Sequence, residues 1–114
     1  MKSFSITFLL KDDILSVERY KQYHNDVWPE VVSELRNIGI SKLKVFLQGR
    51  QVFVYHEVPD NFDIRRDIGR YMESQKAKDW DDLMRELRDL SDEPDSERWP
   101  EPMETIFDLD SQQI

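Results

Sequence analysis

Hydrophobic and polar residues alternate with a period of two in three stretches of the chain, which is the pattern of β-strands. The first stretch has its apolar positions at Phe4, Ile6, Phe8 and Leu10. The other two stretches are Lys42–Gln48 and Gln51–Val58. They are separated by only Gly49 and Arg50, which fit a tight hairpin turn. A shorter apolar stretch, residues 103–109, predicts a fourth strand near the end of the chain.

Helical periodicity fills the space between these strands. Ser16 is a candidate N-cap for a first helix. The residues that this helix would carry on one face are Val17, Tyr20, His24 and Val27. Pro29 cannot continue that helix, so a second helix is predicted to begin there and to end at Gly39. Residues 63–90 predict two more helical segments, which meet near residues 72–75.

The resulting order, β-α-β-β-α-β, predicts an α+β fold of the ferredoxin-like type, with four antiparallel strands and the helices on one face of the sheet. Several strands carry bulky apolar side chains on both faces, and an exposed apolar sheet face usually has a partner. We therefore expect two copies of the chain to pair sheet to sheet as a symmetric homodimer. The length of 114 residues fits one domain, predicted to span residues 1–110 with a short tail at 111–114.

The formal net charge of −8 limits the classes of partner. Nucleic-acid binding needs a basic patch, which this sequence lacks, whereas an acidic surface is compatible with a neutral ligand such as a sugar. The absence of cysteine excludes disulfides, thiolate metal sites and a cysteine nucleophile. The first residues do not have the pattern of a signal peptide, and no segment approaches 18 apolar residues. We therefore expect a cytoplasmic protein with no membrane segment.

Few residues remain that could carry chemistry. The two histidines lie in different elements and belong to no spaced cluster of ligands, so no metal site is expected. His56, in the middle of a strand, is interpreted as a packed core residue. The acidic positions 79, 81 and 82 and the run 92–95 are interpreted as solvated surface.

Tyr20 and His24 are four residues apart and would share one face of a helix. Histidine is the side chain whose unperturbed pKa, about 6.5, lies nearest to neutral pH, so this pair could carry general acid–base chemistry. The three tryptophans, Trp28, Trp80 and Trp99, could hold a sugar ring against their faces, or could belong to the core. The local pattern fits either a bound ligand or two partly buried core residues.

The motif Tyr20-x-x-x-His24-Asn25-x-x-Trp28-Pro29-Glu30 resembles the L-rhamnose mutarotase family. The resemblance extends over nearly the whole chain through Glu57 at the end of the hairpin, Trp80 before Leu83 and Met84, and the closing segment 103–109. It implies a dimeric α/β barrel that interconverts the α and β anomers of a sugar without a cofactor. It also implies that His24 is the proton donor and that Tyr20 and Trp80 contact the sugar.

The remaining residues of the motif, Asn25 and Trp28, are predicted beside the sugar, and Glu57 is a candidate second base. Two positions depart from the family pattern. Leu43 stands where the family has a ligand-binding tyrosine, and Asp81 stands where it has the second of two paired tryptophans. Half of the sugar-binding shell is thus replaced, and the substrate could be L-rhamnose, a related deoxy-sugar such as L-fucose, or another aldose.

Two alternative functions are compatible with the same fold. The first is a cofactor-independent or haem-degrading monooxygenase of the dimeric α/β-barrel class, which also uses a helix histidine and a tryptophan. Bound haem or O₂-dependent turnover would favour it. The second is a non-catalytic stress-response barrel, which sugar binding without rate enhancement would favour.

Overall fold

A computed structural model describes residues 1–91 and 99–111. Its elements are, in chain order, β1 Lys2–Leu9, α1 Ile14–Asn25, α2 Pro29–Asn37, β2 Lys42–Gln48, β3 Gln51–Val58, α3 Ile64–Tyr71 and α4 Gln75–Glu86, followed by a short 3-10 turn at Leu109–Ser111. The α+β class, the first three strands and the four helical segments are therefore confirmed. The predicted acidic run 92–95 and residues 112–114 of the predicted tail lie outside the described residues.

The three strands form one antiparallel sheet in the order β1-β3-β2. Along the central strand β3, four side chains are buried, at Val52, Val54, His56 and Val58, while those between them are partly exposed. The buried set faces the helices, and we call this side of the sheet the inner face. The opposite side, which we call the outer face, carries Phe46, Phe53 and Tyr55. The prediction that the helices cover one face is confirmed.

The predicted fourth strand at 103–109 is not formed, which is a correction to the sequence analysis. The segment reaches the free edge of β1 through a hydrogen bond from the Met103 amide to the Ser5 carbonyl, at 2.7 Å. Pro100 and Pro102, just before it, have no amide hydrogen to donate to a strand ladder. Ile106 is 90% exposed in the single chain, so this apolar side chain is not packed against the rest of the chain as it would be in a strand of the sheet.

The first helix begins earlier than predicted, because its N-cap is Asp13 and not Ser16. The Asp13 carboxylate accepts hydrogen bonds from the backbone amide and the hydroxyl of Ser16, both at 2.8 Å. Carboxylates are strong N-caps, and Asp13 has the extended backbone that this position requires. The helix then continues to Asn25, which places both Tyr20 and His24 within α1.

The break between α1 and α2 follows the prediction. Pro29 begins α2, where its missing amide hydrogen costs nothing. The chain leaves α2 through Gly39, whose φ of 105° is a left-handed conformation that favours glycine. This turn brings α2 back over the inner face of the sheet, where Val31 and Ile40 join a core of buried side chains from β1, β3 and the four helices. In the described part of the chain, no helix has both the length and the apolar character needed to cross a membrane.

Candidate active site

A cavity of about 350 Å³ lies between the inner face of the sheet and the helices α1, α2 and α4. Its volume is at the lower end of the range for small-molecule sites. Apolar residues of the sheet, Ile6, Val45 and Val54, form one wall, and Tyr20, His24 and Trp80 lie on the helical side. The cavity therefore combines an apolar wall with polar and charged side chains, and both kinds of group are available to a ligand.

The predicted pair, Tyr20 and His24, lies on one wall of this cavity. Their rings are stacked, with centroids 4.3 Å apart and planes at 29°. The Nδ1 atom of His24 is 2.8 Å from the backbone carbonyl oxygen of Tyr20, one helical turn earlier. Because a carbonyl oxygen can only accept, Nδ1 carries the hydrogen. In the neutral ring, Nε2 is therefore a hydrogen-bond acceptor and a base.

Burial favours the neutral form of both side chains in this pair, and it therefore shifts their pKa values in opposite directions. It lowers the pKa of His24, an effect that the hydrogen bond to the Tyr20 carbonyl only partly opposes. Burial also raises the pKa of the Tyr20 hydroxyl, against the smaller effect of the positive charge of Arg88. At neutral pH the imidazole is therefore uncharged and the phenol keeps its proton. The wall offers one basic nitrogen and one hydroxyl donor side by side.

Trp80 holds the His24 ring in place. It lies on α4 and contacts His24 edge to face, with ring centroids 5.7 Å apart and planes at 68°. Trp28 packs against Trp80 in the same manner, at 5.3 Å and 70°. Trp80 lines the cavity, whereas Trp28 does not. The predicted contact of Trp28 with a ligand is therefore indirect, through the position of Trp80.

The structure separates the remaining predicted site residues into two groups. Leu43 and Asp81, the two departures from the family pattern, both line the cavity. Asn25 is exposed at the end of α1 and is not part of the lining. Glu57 projects from the outer face, where its carboxylate accepts a hydrogen bond of 2.8 Å from the Tyr55 hydroxyl. The sheet lies between Glu57 and the cavity, so the candidate second base is not within reach of a bound sugar.

Other residues of the lining were not identified as site residues from the sequence. His56 is fully buried, as predicted for a core residue, but it also borders the cavity, as do Tyr71 and Arg88. Trp99, one of the three tryptophans considered from the sequence as a platform for a sugar, lines the cavity as well. The period-two alternation contained a signal for His56, because it places this residue on the same face as Val54. No comparable signal exists for Arg88, which follows α4 and meets Leu10 in an isolated bridge.

The polar side chains of the site are hydrogen-bonding groups. Within residues 1–91 and 99–111 there is no group of three or more His, Asp or Glu side chains that could hold a metal ion. The polar atoms along the cavity come from imidazole, phenol, indole and guanidinium groups, together with the Ser41 hydroxyl, the Lys42 ammonium and the Asp81 carboxylate, and all of these donate or accept hydrogen bonds.

Comparison with known proteins places this chain in a family. The family model for L-rhamnose mutarotase matches residues 4–109. A UPF0734 protein of Dictyostelium discoideum is 41% identical over 113 residues, 96% of this chain and 90% of that protein. An L-fucose mutarotase of Xanthomonas campestris is 30% identical over 95 residues, 81% of this chain and 76% of that protein.

The fold is also that of a known structure. The crystal structure of an L-rhamnose mutarotase from Formosa agariphila superposes with a TM-score of 0.69 at 18% identity, and the superposition covers 96% of this chain and 99% of that chain. At this level of identity the similarity shows the fold alone. The family match, in contrast, is a match of sequence and extends over nearly all of the chain. The chain described here therefore belongs to the L-rhamnose mutarotase family.

Proposed function

We propose that this chain catalyses the interconversion of the α and β anomers of a 6-deoxyhexose, with His24 as the group that moves the proton. Family membership supports the reaction class. The observation that carries the assignment to His24 is its hydrogen bond to the Tyr20 carbonyl, which leaves Nε2 as a neutral base on the wall of the cavity. L-rhamnose and L-fucose are the first substrates to test, since relatives of this chain are named for each.

The reaction needs only proton transfers. His24 Nε2 accepts the proton of the anomeric hydroxyl while C1=O forms and the bond between C1 and the ring oxygen breaks. The imidazolium then returns a proton to the ring oxygen, which gives the open-chain aldehyde. Rotation about the C1–C2 bond and the reverse steps close the ring on the other face of C1. Both oxygens are bonded to C1, so one nitrogen can serve both.

Tyr20 acts differently from His24 in this proposal. Because burial raises the pKa of its hydroxyl, Tyr20 keeps its proton and donates a hydrogen bond. A hydrogen bond to the sugar would strengthen as negative charge develops on oxygen during ring opening. Trp80 fixes the orientation of the His24 ring, which keeps Nε2 directed at the bound sugar.

Saturation-transfer NMR on a panel of aldoses tests the function, because it reports the exchange between anomers directly. We expect the wild-type protein to accelerate exchange for at least one 6-deoxyhexose, and His24→Ala to lower the rate about 10²- to 10⁴-fold. Gln22→Ala is the matched control, since Gln22 is exposed on the same helix and does not line the cavity. A wild-type rate equal to that of buffer would refute the function, and an unaffected His24→Ala rate would refute the role of His24.

We also propose that two copies pair through the outer face. Phe46 is 52% exposed there, and its ring centroid lies 6.2 Å from that of Phe53, its cross-strand partner. Ile106 and Phe107, 90% and 66% exposed, lie in the segment that begins at the edge of β1. A second sheet placed over this face would cover both sets of side chains. The cytoplasmic location stays a prediction from the sequence.

A further inference from the structure

The proposed mechanism makes no use of the second histidine, His56, although it is the more deeply buried of the two. His56 is 0% exposed, at the centre of β3. Its ring is stacked on Phe4, with centroids 4.2 Å apart and planes at 8°. Its Nδ1 lies 3.3 Å from the backbone carbonyl oxygen of Phe4 and therefore donates to it. The ring is thus held from its face and from one edge.

The other ring nitrogen of His56 is buried at the edge of the cavity that this residue borders. Since Nδ1 carries the hydrogen, Nε2 is an acceptor, and it has no hydrogen-bond partner among the described residues. A buried acceptor without a partner is costly, and an apolar side chain at this position would avoid that cost. Burial lowers the pKa of His56 to about 4, so the ring is an uncharged acceptor at neutral pH.

A buried hydrogen-bond donor without a described partner lies beside His56. The indole nitrogen of Trp99 is buried and, within the part of the chain that the structure describes, also lacks a hydrogen-bond partner. The two ring centroids are 6.3 Å apart, and both residues line the cavity. An indole nitrogen can only donate, whereas His56 Nε2 can only accept. A hydroxyl group both donates and accepts, so hydroxyls of one ligand can satisfy both atoms.

The surroundings of His56 make it selective. Its cross-strand partners are Phe4 on β1 and Leu43 on β2, so apolar side chains flank it on both sides within the sheet. A polar atom in such a place rejects a ligand that brings no hydrogen bond, because the atom is then left unpaired. His24, in contrast, lies on the helical wall. The cavity therefore has polar groups on two walls.

We propose that His56 Nε2 and Trp99 Nε1 bind a hydroxyl of the substrate other than the anomeric one, and that this contact selects which sugar is accepted. The inference rests on the proposed mutarotase function and adds to it a specificity-determining pair, formed by His56 on the sheet and Trp99 beside it. His56 and Trp99 touch the substrate but move no proton of the reaction. Their removal should therefore change KM and selectivity more than kcat.

The test combines single-hydroxyl deletions in the sugar with substitutions of His56. Anomer exchange is measured by saturation-transfer NMR for the best substrate and for its analogues that each lack one non-anomeric hydroxyl. We expect one analogue to raise the KM of the wild type about tenfold or more. For His56→Leu the same analogue and the parent sugar should have nearly equal KM, because the contact is already lost. His56→Gln, which places an amide near Nε2, should restore part of the difference.

Two controls separate this inference from general effects on folding. Val52→Ala removes buried volume from the same strand and the same face but does not border the cavity, so it should leave the selectivity unchanged. If His56→Leu does not fold, the KM values of the wild type for the analogues still test the inference. Equal KM values for all analogues would overturn it. Binding of the parent sugar should also shift the ¹⁵N resonance of His56 Nε2, a signal that a purely structural histidine would not give.

The outcomes distinguish the inference from the proposed function. A wild-type protein that accelerates no aldose overturns both. If the wild type accelerates anomer exchange but each analogue raises KM by the same factor in the wild type and in His56→Leu, the inference alone is overturned. That result would assign the free nitrogens to internal water and leave the role of His24 intact.

Discussion

In the proposed mechanism, the direction of the first proton transfer at His24 is determined by a hydrogen bond within the helix itself. The Nδ1 hydrogen is engaged by the Tyr20 carbonyl, so only Nε2 can react with a ligand. Since burial keeps the ring neutral, the first step must be acceptance of a proton and not donation. The resemblance to the family named His24 as a proton donor. In this geometry it can donate only the proton that it has first accepted.

This reasoning predicts the pH dependence of the reaction. The active form of His24 is the neutral imidazole, and burial lowers its pKa below the ordinary 6.5. The enzymatic rate should therefore rise with pH through an inflection that lies below 6.5, and should be level above neutral pH. Rates corrected for the buffer reaction between pH 4.5 and 8 measure this profile, and NMR titration of the His24 ring assigns it.

Trp80→Ala is the matched variant for this prediction. Loss of the indole admits water to His24, so the pKa of the imidazole should move up toward 6.5. Lys76→Ala is the control, because Lys76 lies over Trp28 and does not line the cavity. An inflection above 6.5 in the wild type would contradict the assignment of His24 as a buried base.

Neighbouring residues on one strand show how much of the site could be predicted from the sequence. The alternation along β3 correctly separates Glu57 from His56, because adjacent residues point to opposite faces. It could not say which face meets the helices and the cavity. That depends on the packing of α1 and α4 against the sheet, which is a property of contacts distant in the chain. The prediction that Tyr20 and His24 share one face of a helix depended only on their i, i+4 spacing, which helix geometry alone interprets.

At the scale of elements, the turn from α2 into β2 depends on Gly39. Its φ of 105° is unfavourable for any residue with a Cβ atom, whereas the contact of such a Cβ with the Pro59 ring, at 3.4 Å, would be an ordinary one. Gly39→Ala should lower the free energy of unfolding by about 1–2 kcal/mol. Gly69→Ala is the matched control, because Gly69 lies in α3 with open space around it.

The control should move in the opposite direction. Alanine is favoured over glycine within a helix, so Gly69→Ala should raise the free energy of unfolding by about 0.5–1 kcal/mol. Urea unfolding of the two variants and the wild type measures both effects. Equal effects of the two substitutions would show that the conformation at Gly39 does not carry the expected strain.

The elements that the sequence predicted correctly are those whose signals are local. The break at Pro29 and the hairpin at Gly49 follow from backbone chemistry at one or two positions. The segment 103–109 has an equally clear apolar pattern, yet it forms no strand. A strand needs a neighbouring strand to pair with, and the pattern of one segment does not reveal where that neighbour is.

For the whole molecule, the outer face is the feature that a single chain leaves incomplete. It combines the Phe46 and Phe53 pair with charged residues such as Lys44 and Glu57. The Tyr55 pKa is raised by the hydrogen bond of its hydroxyl to Glu57, and the charge of Asp108 adds to the effect. The segment that follows Met103 therefore lies near this face, and its exposed side chains could be covered in the same interface.

The dimer can be tested by placing a charge on this face. Sedimentation equilibrium should find the wild type as a dimer at micromolar concentration and Phe46→Asp as a monomer with the same secondary structure, because a buried unpaired carboxylate is costly. Phe107→Asp should weaken the dimer if the 103–109 segment is part of the interface. Ile14→Asp is the control, since Ile14 is 77% exposed at the start of α1, away from the sheet. Each chain carries a net charge of −8, so association should strengthen as salt is added. A monomeric wild type, or a Phe46→Asp variant that remains dimeric, would refute pairing through the outer face.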